Sequence, residues 1–205
     1  YPPTPDGEKL AVMVYLHGGA FSYGASSATI LDGSSLAKQQ NVVVVTVTHR
    51  LGITAHLCSE GSENPEFSDS ANSGMLDIVA ALRWVRENIS AFGGDPENIT
   101  LFGQSGGGAK VALLMRSPIA KGLFHRAIIQ STASGFYAQS IDEALKATYQ
   151  VLKYFNLGIK QFGELCNVSA AQLLAAMKTI TSNSGGHDYF RPVNDGRTLL
   201  SHGPA

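Results

Sequence analysis

Residues 42–48 read Val-Val-Val-Val-Thr-Val-Thr, an unbroken run of side chains branched at Cβ. Branching there stiffens χ1 and favours extended backbone, and a strand without regular in/out alternation needs cover on both faces. Apolar runs of strand length recur at Leu10–Leu16, Ile99–Phe102 and Ala127–Gln130. Strands covered on both faces belong to a parallel sheet, and parallel neighbours need long crossovers between them.

The segments between these runs carry helical spacing. In SGMLDIVAALRWVRENI, Met75, Ile78, Val79, Leu82, Val85 and Ile89 fall on one face, with Asn72 or Ser73 as the cap. Gly93, Gly94 and Pro96 then stop the helix and turn the chain into Ile99–Phe102. Further helices are predicted over Ser34–Gln40, from Gly106 or Gly107 to Met115, over Ile141–Phe155, and over Ser169–Ile180 behind a Ser cap. Strands alternating with helices predict an α/β fold with right-handed crossovers, a mostly parallel central sheet flanked by helices. Residues 56–74, rich in Ser, Asn, Glu and Gly, read as a solvated surface loop, with the shaping of a substrate entrance as the alternative.

At 205 residues the chain is long enough for one domain with a real core and short for two. A net charge of −1 gives no electrostatic reason to expect nucleic acid or an anionic membrane as partner. No apolar stretch approaches the roughly 18 residues of a membrane span. Cys58 and Cys166 stand in unrelated contexts without metal-ligand spacing and read as free thiols. The start at Tyr1 and the finish at SHGPA predict a partial domain, residues 1–205, cut at both ends, so that localisation stays open. Asn88-Ile-Ser, Asn98-Ile-Thr and Asn167-Val-Ser match glycosylation acceptors, a pattern short enough to arise by chance.

The chemistry concentrates in LFGQSGGGAK, residues 101–110, where four glycines surround one serine between a predicted strand and a predicted helix. Gly103-Gln104-Ser105-Gly106-Gly107 fits G-x-S-x-G in the context where that motif makes a nucleophile elbow, a strained turn that exposes the serine Oγ. The helix beginning after Ser105 turns unpaired N–H groups toward developing negative charge, with Gly106 N–H as one oxyanion donor. A phosphate loop is the competing reading, but no Gly-Lys-Ser/Thr ending follows and the spacing is not G-x-G-x-x-G. Upstream, YLHGGAFSYG places His-Gly-Gly directly after a strand, the loop expected to supply the remaining oxyanion amides. His17, beside that loop, reads as positioning it, and His49 as a hydrogen-bonded structural histidine; neither reads as the base.

These residues resemble the type-B carboxylesterase family of α/β-hydrolases. The likeness runs through HGGAFSYG, VVVVTVTHRLG, NSGMLDIVAALRWVRENISAFGGDPENITLFGQSGGG and GLFHRAIIQS, and ends near FRPVNDGRTL. It implies an α/β-hydrolase fold and a serine ester hydrolase acting on a small-molecule ester, with no metal or organic cofactor. Carried over by position, it makes Ser105 the nucleophile, Gly19, Ala20 and Gly106 the oxyanion donors, and Gln104 and His17 neighbours of the substrate. Relatives often carry Gly where Ala20 stands, Glu at Gln104, Asn at Thr48 and Gly at Thr132, and read more like GFL where this chain has GITAHLC. The neutral Gln104 implies a preference for simple esters over cationic ones.

In this fold the triad runs Ser, then Asp or Glu, then His, so both partners must follow Ser105. His125, His187 and His202 are the histidines there, and none stands in the family's catalytic context. The resemblance makes His125 structural and puts the acid and histidine beyond Ala205. The segment alone is therefore expected to lack activity, and to aggregate or stay molten because a sheet without its later strands exposes an apolar edge. The rival readings are a non-catalytic binding or adhesion protein of the same fold and a serine peptidase on it.

Overall fold

The computed structural model describes residues 7–132, 138–183 and 189–200. Among them, β1 (Leu10–Leu16), β2 (Val43–Val47), β3 (Gly94–Gln104) and β4 (Arg126–Gln130) form one parallel sheet in the order β2-β1-β3-β4. Helices α1 (Ser34–Gln40), α2 (Ser73–Asn88) and α3 (Gly106–Met115) lie in the connections, and α4 (Ile141–Tyr154) and α5 (Ala170–Asn183) follow the last strand. Tyr15 stands opposite both Thr46 and Phe102, and Gly103 opposite Ile129, so all four strands end at one edge. Loops leaving that edge converge, which is where an open α/β sheet builds its sites.

The predicted elements stand with small boundary shifts. The largest is β3, which begins at Gly94: Gly94 pairs with Leu10, the register then slips, and regular pairing resumes at Val12 with Ile99. Asp95 accepts the Glu97 N–H at 3.0 Å within that bulge. Cover on both faces holds for the central strands only. Val12, Val14, Leu16, Ile99 and Leu101 are fully buried, sealed in part by Met75, Ile78, Val79, Leu82 and Val85 of α2. Val43–Thr46 of β2 are half-buried, and Ile128 and Ile129 of β4 remain 42% and 44% exposed. Each flanking strand has a neighbour on one side only among the described residues, and its apolar side chains share that lack of cover.

Residues 56–74 are not the solvated loop that their composition predicts. His56, Leu57, Cys58, Ser59, Ala71 and Asn72 are buried, and exposure concentrates at 60–61, 63–66 and 68–69. Leu57 and the preceding Ile53 join a second apolar cluster with Val151 and Leu152 of α4, Ala176 and Ile180 of α5, and Phe162, Leu165 and Phe190. The polar residues of the loop are consumed inside. Ser59 Oγ donates to Phe67 O at 2.7 Å and Ser70 Oγ to Leu57 O at 2.6 Å. Asn72 precedes α2 without capping it. Its Nδ2 donates to Val193 O and Asp195 Oδ2 at 2.8 and 3.0 Å, and its Oδ1 accepts Val193 N–H at 2.9 Å.

Ser140 and Glu143 close a reciprocal capping box on α4, and Ser169 with Gln172 does the same before α5. Cys58 is buried and Cys166 exposed, both free. Among the described residues no helix is long and apolar enough to cross a membrane. His187 and His202 lie outside the described residues.

Candidate active site

The chain leaves β3 at Gln104 and enters α3 at Gly106, which leaves a single residue for the turn. Ser105 makes it with φ 55° and ψ −123°, a conformation that costs a side-chain-bearing residue about 1–3 kcal/mol and persists only where the surroundings enforce it. The enforcement is visible. Ser105 N–H donates to Gln130 O at 2.9 Å, tying the turn to the end of β4. Ser105 O accepts from Ala109 N–H at 3.0 Å and from Thr132 Oγ1 at 2.9 Å. Thr132, where the resembling family has glycine, thus braces the elbow. The Ser105 side chain is half-buried rather than sealed off.

Two glycines permit the close approach that follows. A Cβ on Gly107 would lie 2.0 Å from Leu16 O, and one on Gly106 would lie 2.5 Å from the N, Cα and O of Ala20. The strand-end loop after β1 is therefore packed backbone to backbone against the first turn of α3. Gly18 continues the contact, its Cβ position being 3.6 Å from Ser105 Cβ and 3.4 Å from Gln104 Oε1. Gly19 and Ala20 have φ values of 90° and 52°, and the Gly19 carbonyl closes a turn by accepting the N–H groups of Ser22 and Tyr23 at 3.2 Å. Ser105, Gln104, Gly106, Gly19 and Ala20, which the sequence puts in two separate stretches, share one spot at the sheet's C-terminal edge.

Beneath that loop lies a buried polar layer. His17 and His49 stack with centroids 4.8 Å apart and planes inclined by 6°. Each Nδ1 donates to a nearby carbonyl, His17 to Gly18 O at 2.8 Å and His49 to Arg50 O at 2.9 Å. That fixes the tautomer and leaves both Nε2 atoms buried without a partner among the described residues. Burial holds His17 below the usual histidine range and pushes His49 down to about 4, with the Lys110 charge adding to both. At 3% exposure the His17 ring offers itself to no substrate, and its backbone borders the site instead. Arg50 closes the layer through a two-pronged pair with Asp77 of α2, Nε to Oδ2 at 2.8 Å and Nη2 to Oδ1 at 2.6 Å.

Lys110 is the functional-site residue that the sequence reading missed. It is 1% exposed, and its Nζ donates to Ala20 O at 2.7 Å and His17 O at 3.1 Å while lying 5.5 Å from the Phe21 ring centroid. The available signal was a lone cation in GGGAKVALLM, four residues after Gly106 and hence on the helix face turned to the loop. His125 takes no part in the site. Its Nδ1 accepts the Ile99 N–H at 3.1 Å, midway along β3 and about 20 Å of strand from Ser105 at roughly 3.3 Å per residue.

A parallel sheet whose strand passes through a strained serine into a glycine-led helix defines the α/β-hydrolase fold. The comparisons agree: the Carboxylesterase family matches residues 1–205, and the chain belongs to that family. It is 44% identical over 201 residues to the para-nitrobenzyl esterase of Bacillus subtilis, a match covering 97% of this chain and 40% of that protein. Liver carboxylesterase 1 of Oryctolagus cuniculus is 38% identical over 209 residues, covering 96% of this chain and 36% of that protein. A crystal structure of a Geobacillus stearothermophilus carboxylesterase superposes with a TM-score of 0.87 at 40% identity, covering 95% of this chain and 40% of that one. The chain thus spans at most about 40% of the length of these relatives.

Proposed function

We propose that this chain is the nucleophile-bearing part of a serine carboxylic-ester hydrolase. Ser105 Oγ attacks the ester carbonyl, the N–H groups of Gly19, Ala20 and Gly106 hold the oxyanion, and the alcohol leaves an acyl-enzyme that water hydrolyses. A serine hydroxyl is a weak nucleophile without an oriented base. His125 is engaged elsewhere, His17 and His49 are buried with fixed tautomers, and the base and its acid belong to a longer polypeptide of which residues 1–205 are a part.

The observation that carries this reading is the strained Ser105 backbone standing where the Gly18–Ala20 loop meets the first turn of α3. A turn that served only to link strand to helix would have no use for a serine at φ 55°. Gln104, exposed beside Gly18, leaves the approach uncharged and favours neutral ester substrates. The test is treatment of the full-length parent with a serine-directed phosphonate, followed by peptide mapping. Modification at Ser105, lost in Ser105→Ala together with about 10⁴- to 10⁶-fold of kcat, is the expected result. A folded parent that stays unmodified at Ser105 is instead a binding module of the same fold.

A further inference from the structure

Lys110 poses a question that ester hydrolysis by itself does not answer: why a cation is kept buried one helical turn below the elbow. Burying an ammonium is costly, and the group persists only where its donors are well used. Its two acceptors are not arbitrary. The carbonyls of His17 and Ala20 bracket the short stretch that carries the Gly19 and Ala20 N–H groups, so one ammonium pins that stretch at both ends. The Gly19 carbonyl also ties the stretch forward, to Ser22 and Tyr23. The Phe21 ring, fully buried, flanks the ammonium and restricts where it can sit.

We propose that Lys110 is a positioning residue for the oxyanion hole, setting the orientation of the Gly19 and Ala20 amides toward Ser105 by clamping the carbonyls on either side of them. The proposal rests on the ester-hydrolase reading. A helix residue suits the task because α3 also carries Gly106, so the donors from the loop and the donor from the helix are referred to one rigid element. His17, His49 and His56 are all held below the usual histidine range by burial, and Asp77 is paired with Arg50. Burial lowers the Lys110 ammonium itself to about 7, while charge-assisted bonds to two carbonyls favour the protonated form.

The test uses the full-length parent, with a neutral ester as substrate and a trifluoromethyl ketone as the probe of oxyanion binding. Stoichiometric phosphonate labelling of wild-type Ser105 checks the underlying reading first. In Lys110→Met, kcat is expected to fall about 10²-fold with KM within about 3-fold of wild type, and ketone affinity to fall in parallel, as when oxyanion donors are lost. Lys110→Gln, which keeps an N–H donor for the carbonyls, is expected to recover about tenfold of that loss, and it serves alone where the Met variant does not fold. Labelled wild type together with unchanged kcat and ketone affinity in the folded variants, or a loss confined to KM, overturns the positioning proposal. Unlabelled wild type overturns the hydrolase reading instead.

Discussion

Two strips of backbone meet at Ser105, and they are held in place by different means. The elbow, residues 103–107, is held by contact between main chains so close that a Cβ at Gly107 would sit 2.0 Å from Leu16 O. The facing loop, residues 17–20, shares that main-chain contact through Ala20 against Gly106 and is held in addition from below by a buried side chain, Lys110, whose ammonium grips two of its carbonyls. The first arrangement dictates residue type at several successive positions, because only glycine lacks the atom that would collide. The second adds one long donor at one position to a loop that itself needs glycine at residue 19, where φ is 90° and a Cβ would lie 2.3 Å from Tyr23 O. The glycines of both strips are therefore conspicuous in the sequence, while the side chain that grips the loop from below is silent.

The sharpest way to break the comparison is at the elbow. Gly107→Ala in the parent is expected to cost about 3 kcal/mol of stability or more, since the colliding atoms are the backbone of a central strand and cannot swing aside. Thermal melts that leave Tm unchanged would show that the main-chain contact is looser than described. The polar layer under the loop answers to acid instead. His49, near 4, and His56, near 3, take up protons more readily unfolded, where histidine titrates near 6.5, than folded. Stability is therefore full above about pH 6.5 and is lost as pH falls toward those values, by up to about 1.4 kcal/mol per histidine per pH unit. A Tm that declines between pH 7 and pH 5 supports this, and a flat profile over that range contradicts it. The smallest effect is expected where the two strips touch: Gln104→Glu leaves Tm within about 2 °C, a change well under 1 kcal/mol, and shifts kcat/KM toward cationic esters. Equal changes for neutral and cationic esters would remove Gln104 from specificity.

Much of this was readable in advance. The β-branched run at 42–48, the spacing from Met75 to Val85 and the glycines around Ser105 each follow from rules that act within a few residues, and the elements appear where those rules put them. Failures occurred where composition stood in for position. Residues 56–74 look polar, yet Ser59, Ser70 and Asn72 spend their hydrogen bonds on backbone brought near by folding. Asn72 looks like a helix cap and instead fastens α2 to residues 193–195, more than 100 positions away. Ile128 and Ile129 look like core and stand on a flanking strand with partial cover.

By itself the sequence determined the strands, the helices, the left-handed serine between them and the family to which the chain belongs, because backbone sterics and periodic burial are local and leave repeating marks. Only the tertiary structure decided that His125 lies a strand's length from the serine, that His17 turns its ring inward, and that Lys110 holds the loop opposite the elbow. Those outcomes depend on which distant carbonyl or ring a side chain meets once the sheet is assembled, and no spacing along the chain encodes that meeting.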